Sequence, residues 1–234
     1  IKGKGKISLE KKSDELSYLI IKDKLNLLFD TKINLKSNSL IIDFLDYKKK
    51  ENLNSFILVK GNYKKNNQLS FDLISLKEKN NEILIKGLDL SQDLRIKNIN
   101  NININYKNNK KILSKLILKK ENSNFIIEGE SFDASRIIDS VMEDEESRSI
   151  FDNLNSKINI RIKKTYMDKF NYMNNLNGNI NFRNNKINEL KLESTFPNEK
   201  KISLTIETNN NSETITKLFS SYPKPLIKRY NFIK

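Results

Sequence analysis

The segments YKKNNQLSFDLISLKEKNNEILIKG (63–87) and YKNNKKILSKLILKKENSNFIIEG (106–129) share one order of features, and this order decides the fold. Each has an aromatic residue, a basic Asn-rich turn, an apolar segment, a second turn and another apolar segment. A looser third copy, FRNNKINELKLESTFPNEKKISLTIE, begins at Phe182. Repetition of one supersecondary unit is typical of arrays whose units stack edge to edge.

Strict alternation within the repeats indicates that each unit is a β-hairpin. In INNININY (99–106), Ile102, Ile104 and Tyr106 fall on one side of a strand and the intervening Asn residues on the other, which is the pattern of a half-buried strand. We therefore predict a mainly β protein. Its expected form is an elongated, curved antiparallel sheet of repeated hairpins, groove-like, with two short amphipathic helices.

The first helix is predicted in an insert near 133–154. Either Asp133 or Ser135 can cap its N-terminus. The apolar residues recur at helical spacing, with a second turn of helix after them: Ile137, Ile138, Val141 and Met142, then Ile150, Phe151 and Leu154.

A second short helix is predicted near 212–221. Ser212 is its expected N-cap, and Ile215, Leu218 and Phe219 share one helical face. Pro223 and Pro225 follow and are expected to end it.

The domain organisation follows from where the repeats lie. Residues 56–234 form the repeated β-hairpin region, and residues 1–55 are a β segment that we expect to continue the sheet. The chain begins at Ile1 and stops at Lys234 within an apparent strand, so we expect it to be part of a longer protein.

The composition argues against several functions. The net charge is +14, but Arg occurs only six times, and the abundant Lys, Asn and Ile share A/T-rich codons. Nucleic-acid binders gather Arg as well as Lys into stripes, so we interpret the charge as a solvated surface. A basic β-sheet nucleic-acid-binding domain remains the alternative, because Tyr63, Tyr106 and Phe182 each adjoin a basic turn.

Catalytic and metal-binding residues are not assigned. The chain has no Cys and no His, which removes thiolate ligands and the usual general base. The acidic run EDEE (143–146) is interpreted as a solvated loop rather than as a metal or catalytic site, because it lacks a ligand pattern with a Gly turn. We expect no enzyme activity and no cofactor.

Two phrases in the chain carry a family resemblance. EGESFDASRIID (128–139) combines a strand, a turn and an amphipathic helix, and TIETNNNSETITKLFSSYPKPLIKRYNFIK (205–234) combines a strand, a short helix and a further strand. With the flanking repeats, residues 56–234 resemble the AsmA-like C-terminal region of the AsmA/YhdP/TamB family of bacterial envelope proteins. The resemblance is closest to YhdP-like members from A/T-rich alphaproteobacteria.

The resemblance implies a function and a location. It implies the periplasmic portion of a protein anchored in the inner membrane outside this chain, which takes part in phospholipid transport or outer-membrane homeostasis. Its partners would be phospholipid acyl chains in an apolar β-groove and other envelope proteins; nucleic acid is not expected. Which residues line a groove is not evident from the sequence, and a closed sandwich with a filled core remains open.

Overall fold

Sixteen strands and two short α-helices make up the computed structural model, which describes residues 1–9, 12–64, 68–142, 151–209 and 213–230. The strands are β1 (Lys2–Leu9), β2 (Lys12–Lys22), β3 (Asn26–Leu35), β4 (Leu40–Ile42), β5 (Tyr47–Lys49), β6 (Ser55–Lys64), β7 (Gln68–Glu78), β8 (Asn81–Leu90), β9 (Ile96–Lys107), β10 (Leu113–Glu121), β11 (Asn124–Asp133), β12 (Ser156–Tyr166), β13 (Tyr172–Arg183), β14 (Lys186–Thr195), β15 (Lys201–Thr208) and β16 (Thr214–Ser220). The helices are α1 (Ser135–Met142) and α2 (Lys224–Tyr230), and a short 3-10 turn spans Asp43–Leu45.

One open sheet contains fourteen of these strands, so the prediction of a mainly β, repeated-hairpin fold is confirmed. Its order is β1-β2-β3-β6-β7-β8-β9-β10-β11-β12-β13-β14-β15-β16, and β4 and β5 form a separate hairpin. All neighbours are antiparallel except β11 and β12, which run parallel on either side of α1. Residues 1–55 supply the first three strands of the same sheet.

Tight Asn-containing turns make the close succession of strands possible. At the β13–β14 turn, Asn184 and Asn185 have φ values of 50° and 64° and separate the paired residues Arg183 and Lys186. Two successive positive φ angles give the turn whose twist matches that of a β-hairpin, and Asn adopts this conformation more readily than most residues. The Asn-rich segments in the sequence therefore have a local structural role.

The predicted alternation of 99–106 is interrupted once. Ile104 and Tyr106 are buried on one face, but the next buried residue toward the start of β9 is Ile99, an odd number of positions away. The break lies beside Gly87 of β8, whose φ of +61° is a conformation that favours glycine and whose missing Cβ leaves room for Asn100. This irregularity turns Ile99 into the core beside Phe125.

The first predicted helix is partly confirmed. α1 covers Ser135–Met142, and the Asp133 carboxylate accepts a hydrogen bond from the Ser135 N–H at 2.9 Å, so Asp133 serves at its N-terminus. The expected second turn of helix is wrong at Phe151, which forms a parallel β-bridge with Ile96. Leu154 is likewise outside any helix, and Ile150 lies outside the described residues.

The second predicted helix, near 212–221, is wrong where the structure describes it, and its expected N-cap, Ser212, lies outside the described residues. Thr214–Ser220 is the strand β16, paired with β15, and the helix lies further along at Lys224–Tyr230. The β-branched run Thr214, Ile215 and Thr216 favours an extended backbone, and the edge of β15 supplies its hydrogen-bond partners. Pro225 stands in the first turn of α2 rather than beyond a helix, where its missing N–H costs nothing.

A buried carboxylate fastens the β4–β5 hairpin region to the sheet. Asp14 of β2 accepts hydrogen bonds of 3.0, 2.7 and 3.0 Å from the successive backbone N–H groups of Lys36, Ser37 and Asn38. Lys49 of β5 is fully buried and donates to the carbonyl groups of Lys36 and Asn38. Burial alone would raise the pKa of Asp14, but the hydrogen bonds, led by that from the Ser37 N–H, hold this pKa well below its usual range.

Replacing this carboxylate tests its role as an anchor. Asp14→Asn is expected to lower the free energy of unfolding by about 1–3 kcal/mol at neutral pH, because the amide NH₂ that replaces one carboxylate oxygen cannot accept the hydrogen bonds of the buried Asn38. The folded pKa lies below the unfolded value of about 3.9, so the stabilisation is present above that pH and is lost as the pH falls further. The acid-dependent loss of stability should therefore be smaller in the variant.

Urea unfolding between neutral and acidic pH measures both effects. Asp72→Asn, at an exposed position of β7, is the matched control and should change the free energy of unfolding by less than about 0.5 kcal/mol. Equal effects of the two substitutions would contradict the anchoring role of Asp14.

Candidate binding groove

One face of the large sheet carries an apolar residue from nearly every strand, aligned directly across the hydrogen-bonded ladders. We call this alignment the apolar row and the face that carries it the inner face. The row crosses all fourteen strands in order as Gly3, Tyr18, Thr31, Val59, Ile74, Ile85, Ile102, Leu118, Ile127, Ile160, Gly178, Leu192, Leu204 and Leu218.

The apolar row is covered only in part. Ile160 is its one buried member, Leu218 at the sheet edge is 48% exposed, and the other twelve are half-buried. Apolar side chains in the hydrophobic core of a folded protein are typically buried and packed as densely as in crystals of small organic molecules. The row is therefore shielded by its neighbours along the sheet but is not filled over by the described residues.

The sheet curves toward its inner face. Asp152 donates a backbone hydrogen bond to the Ile96 carbonyl of β9 at 2.9 Å, and the Leu154 carbonyl accepts one from Asn185, in the β13–β14 turn, at 3.1 Å. Three extended residues and two hydrogen bonds reach at most about 16 Å. In a flat sheet, the four strand spacings from β9 to β13 would cover about 19 Å. Because Leu154 packs against Phe125 of the inner face, the curvature makes that face concave.

The segment around Leu154 also closes one end of the concave face. We call this the lower end; it is where β9 begins. Leu154 and Ile99 form a buried cluster with Phe125, with partly buried Phe151 and Phe182 packed around them. Between β8 and β13, the protein's own side chains therefore limit how far an acyl chain on the inner face can extend toward the lower end.

The β4–β5 hairpin closes the upper end of the inner face, where β9 finishes. Tyr47 and Tyr106 are 1% exposed and meet edge to face, with ring centroids 5.6 Å apart. The Tyr47 hydroxyl donates to Glu78 at 2.5 Å and the Tyr106 hydroxyl donates to the Leu45 carbonyl at 2.8 Å. Burial raises the pKa of Tyr106 to about 12. Burial, followed by the hydrogen bond to Glu78, raises the pKa of Tyr47 above its usual range.

A third cluster continues the upper closure toward the C-terminal strands. Met167 and Phe196 lie in turns above β12 and β14 and pack with Ile202 of β15 and Leu226 of α2. Ile138 of α1 packs against the same group. Both helices thus lie at the upper end, beside the apolar row rather than along it.

The opposite, outer face carries more charged and amide side chains, although Leu19, Ile21, Leu28 and Phe56 of β2, β3 and β6 are exposed on it. In β12 it presents Asn159, Arg161 and Lys163, and Arg161 forms an ion pair with Glu128 of β11 at 3.4 Å. A twisted sheet is saddle-shaped, and two shallow concavities of about 560 and 770 Å³ lie on this outer face. Charged and amide residues make up most of the lining of the smaller concavity, whereas the lining of the larger one also includes Leu16, Phe56 and Leu58.

The aromatic residues beside the basic turns do not form one surface. Tyr63 is near the lower end of β6, whereas Tyr106 is buried at the upper end of β9. Phe182 belongs to the lower cluster. Tyr106 lies on the third strand after the strand of Tyr63, so the two copies of the repeat start in opposite directions. The three residues that motivated the nucleic-acid alternative are thus divided between opposite ends of the sheet.

Other sequence features add no chemical site. The acidic run 143–146 lies outside the described residues. Within the described ranges no three Asp or Glu side chains are placed to hold a metal ion, and no described helix has the length and apolar character needed to cross a bilayer. The apolar row itself is not evident in the sequence, because cross-strand register, not spacing along the chain, aligns its members.

Comparison with known proteins found no matching family model, no matching curated protein and no matching solved structure.

Removing the Tyr47 hydroxyl tests the upper closure. Tyr47→Phe leaves the buried Glu78 carboxylate without this donor and should lower the free energy of unfolding by about 1–3 kcal/mol at pH 7. The raised pKa of Tyr47 means that the native hydroxyl stabilises the fold below about pH 10 and that this contribution declines at higher pH. The deficit of the variant should therefore shrink under alkaline conditions.

Denaturant titrations at neutral and alkaline pH supply the comparison. Tyr172→Phe, at a half-buried tyrosine of β13, is the control, with an expected change below about 0.5 kcal/mol. A Tyr47→Phe protein as stable as this control would show that the hairpin does not depend on the buried hydroxyl.

Proposed function

We propose that this chain is a non-enzymatic lipid-handling module that holds acyl chains along its inner face. The observation that carries the proposal is the half-buried apolar row across fourteen strands. A surface of this kind gains free energy when an apolar guest replaces water, at about 25 cal/mol per Å² covered. Water-soluble polar ligands would gain nothing from it.

The dimensions of the row favour extended guests. Thirteen strand spacings give a length of about 62 Å, whereas one acyl chain spans roughly half of a hydrocarbon core about 30 Å thick. The row is therefore several acyl chains long. This length suits a surface along which chains can lie in succession better than a pocket for one lipid.

The lower margin of the inner face offers positive charge for a headgroup. By strand alternation, Lys120 of β10 lies on this face toward the lower end, where its Nζ donates to Asn98. Acyl chains can bind without hydrogen bonds or ion pairs, since each buried CH₂ contributes about 0.8 kcal/mol. An ammonium group at the margin can bind a phosphate.

A place in phospholipid transport or outer-membrane homeostasis is the setting that we propose for this activity. It follows from the resemblance to the AsmA/YhdP/TamB family, which also implies a periplasmic location in an inner-membrane-anchored protein and contacts with other envelope proteins. An apolar inner face on a long hairpin sheet is compatible with that setting.

Co-purification of lipid is the first test. Protein purified without detergent should carry phospholipid, detectable by mass spectrometry of an organic extract at one or more molecules per chain. Removal of this lipid should be followed by uptake from vesicles. A protein that stays lipid-free and takes up none when offered phospholipid vesicles would contradict the proposal.

Adjacent isoleucines on opposite faces provide a matched pair of variants. Ile127 belongs to the apolar row, while Ile126 is half-buried on the outer face of the same strand. Ile127→Asp places a carboxylate against the acyl chains, which is costly unless the charge is paired, and should reduce bound lipid at least tenfold. Ile126→Asp makes the same chemical change on the outer face and should leave lipid binding within about twofold.

Circular dichroism and urea unfolding establish that both variants are folded. Lipid is then quantified per mole of folded protein. Equal loss of lipid in the two variants would show that binding does not depend on the inner face.

A further inference from the structure

The closure of the lower end of the inner face does not extend across β2, β3, β6 and β7. The Leu154 cluster lies between β8 and β13, and none of the three buried clusters of described residues includes a side chain from the lower half of these four strands. We call this uncovered part of the lower end the open margin. Two cross-strand rows on the inner face form it: Ile20, Phe29, Gly61 and Phe71, and below them Lys22, Leu27, Tyr63 and Leu69.

An apolar surface connects the open margin with the apolar row. Phe29 and Phe71 meet edge to face across Gly61, with ring centroids 5.9 Å apart. A Cβ atom at Gly61 would lie 2.8 Å from the Phe29 ring, so the missing side chain makes room for this aromatic contact. Both rings are half-buried. They therefore leave apolar surface uncovered between the margin and the apolar row.

The distance from the open margin to the upper closure accommodates the length of an acyl chain. From Tyr63 to Val59 of the apolar row, β6 rises by about 14 Å, and from Tyr63 to Ile57, which packs against the Tyr47–Tyr106 cluster, by about 20 Å. One acyl chain is about 15 Å long, half the thickness of a hydrocarbon core. A chain that enters at Tyr63 can therefore reach the apolar row before it meets the upper closure.

The open margin ends in a cationic and a phenolic side chain. Lys22 is exposed and forms no ion pair with a residue in the described ranges, and Tyr63 is 41% exposed. The next residue along the chain, Asp23, accepts hydrogen bonds from the backbone N–H groups of Leu25 and Asn26 at 2.8 and 2.6 Å within its own turn. Lys and Tyr each combine an apolar stem or ring with a polar tip, which suits the boundary between acyl chains and water.

We propose that the open margin is the entrance for phospholipid and that it binds the phosphate of the headgroup. The Cα atoms of Lys22 and Tyr63 are two strand spacings apart, about 10 Å, and both side chains are long enough to contact one phosphate placed between them. The ammonium group pairs with one phosphate oxygen, and the hydroxyl donates a hydrogen bond to another. The acyl chains pass over Phe29 and Phe71 to the apolar row. This inference rests on the proposed lipid-binding function and assigns the position of the headgroup.

Lys120 has the same charge on the same face but lies in the closed part of the lower end. Its cross-strand neighbour on β11 is Phe125, which is buried with Leu154. Acyl chains cannot pass these two side chains without displacing them. The open margin, in contrast, combines a cation with an uncovered apolar path to the row.

Soluble short-chain probes separate the phosphate from the acyl chains. Dihexanoyl phosphatidylglycerol carries both, dihexanoylglycerol carries the chains without the phosphate, and glycerol phosphate carries the phosphate without the chains. Lys22→Glu should weaken binding of the short-chain phospholipid about fivefold or more, because repulsion replaces a charge-assisted hydrogen bond. Binding of dihexanoylglycerol should change by less than about twofold. Lys32→Glu makes the same charge change at an exposed position on the outer face of β3 and should leave both affinities within about twofold.

A nitroxide on the phospholipid headgroup locates the bound phosphate. Circular dichroism first establishes that the variants are folded. The labelled headgroup should broaden the NMR amide signals of Lys22, Leu27 and Tyr63 more than those of any other residues. Strongest broadening at Lys120, or at the Tyr47–Tyr106 cluster, would overturn the assignment of the entrance.

The outcomes distinguish this inference from the proposed function. If both short-chain lipids bind and Lys22→Glu weakens neither, the chain binds lipid but the headgroup is not held at the open margin, and the inference is overturned. If neither lipid binds, both proposals are overturned. Glycerol phosphate that binds as tightly as the short-chain phospholipid would indicate a site for free phosphate and would also overturn the inference.

Discussion

Cross-strand register is the constraint on which the rest of this structure depends. Side chains alternate between the two faces of a strand with a period of two, so a slip of one residue would send an entire apolar set to the wrong face. Tight turns such as Asn184–Asn185 fix the register at each hairpin. Fourteen strands held in this way place their apolar residues in line, and a short periodic pattern becomes a continuous apolar surface.

Among the residues that the structure describes, the inner face is filled at its ends and left uncovered along its middle. The Tyr47–Tyr106 pair closes the upper end, the Leu154 segment closes the lower end between β8 and β13, and each of these clusters contains buried side chains. Between them the apolar row remains half-buried. The hydrophobic effect favours covering such a surface, and an apolar guest achieves this without any change in the fold. The lipid-binding proposal follows from this contrast.

Much of the fold was predictable because alternation and turn chemistry are local. The hairpin repeat, the capping role of Asp133 and the continuation of the sheet into residues 1–55 depend on neighbours in sequence. The helix expected near 212–221 was wrong because the edge of β15 supplied hydrogen-bond partners to an extended segment, which overrode the helical spacing of Ile215, Leu218 and Phe219. The lining of the groove could not be predicted, because no local pattern specifies that Leu118 of β10 faces Ile127 of β11.

Spin labels on the two faces give the most direct test of an inner face that is apolar and unfilled. Nitroxides at Ile74, Ile127 and Leu204 would report on the apolar row, and nitroxides at Lys77, Ile126 and Thr205 on the outer face. The account predicts that, in lipid-free protein, a water-soluble nickel chelate relaxes both sets. Added phospholipid should shield only the first. The account would be contradicted if the labels on the apolar row are already shielded from the nickel chelate in lipid-free protein. It would also be contradicted if added lipid shields these labels no more than the outer-face labels.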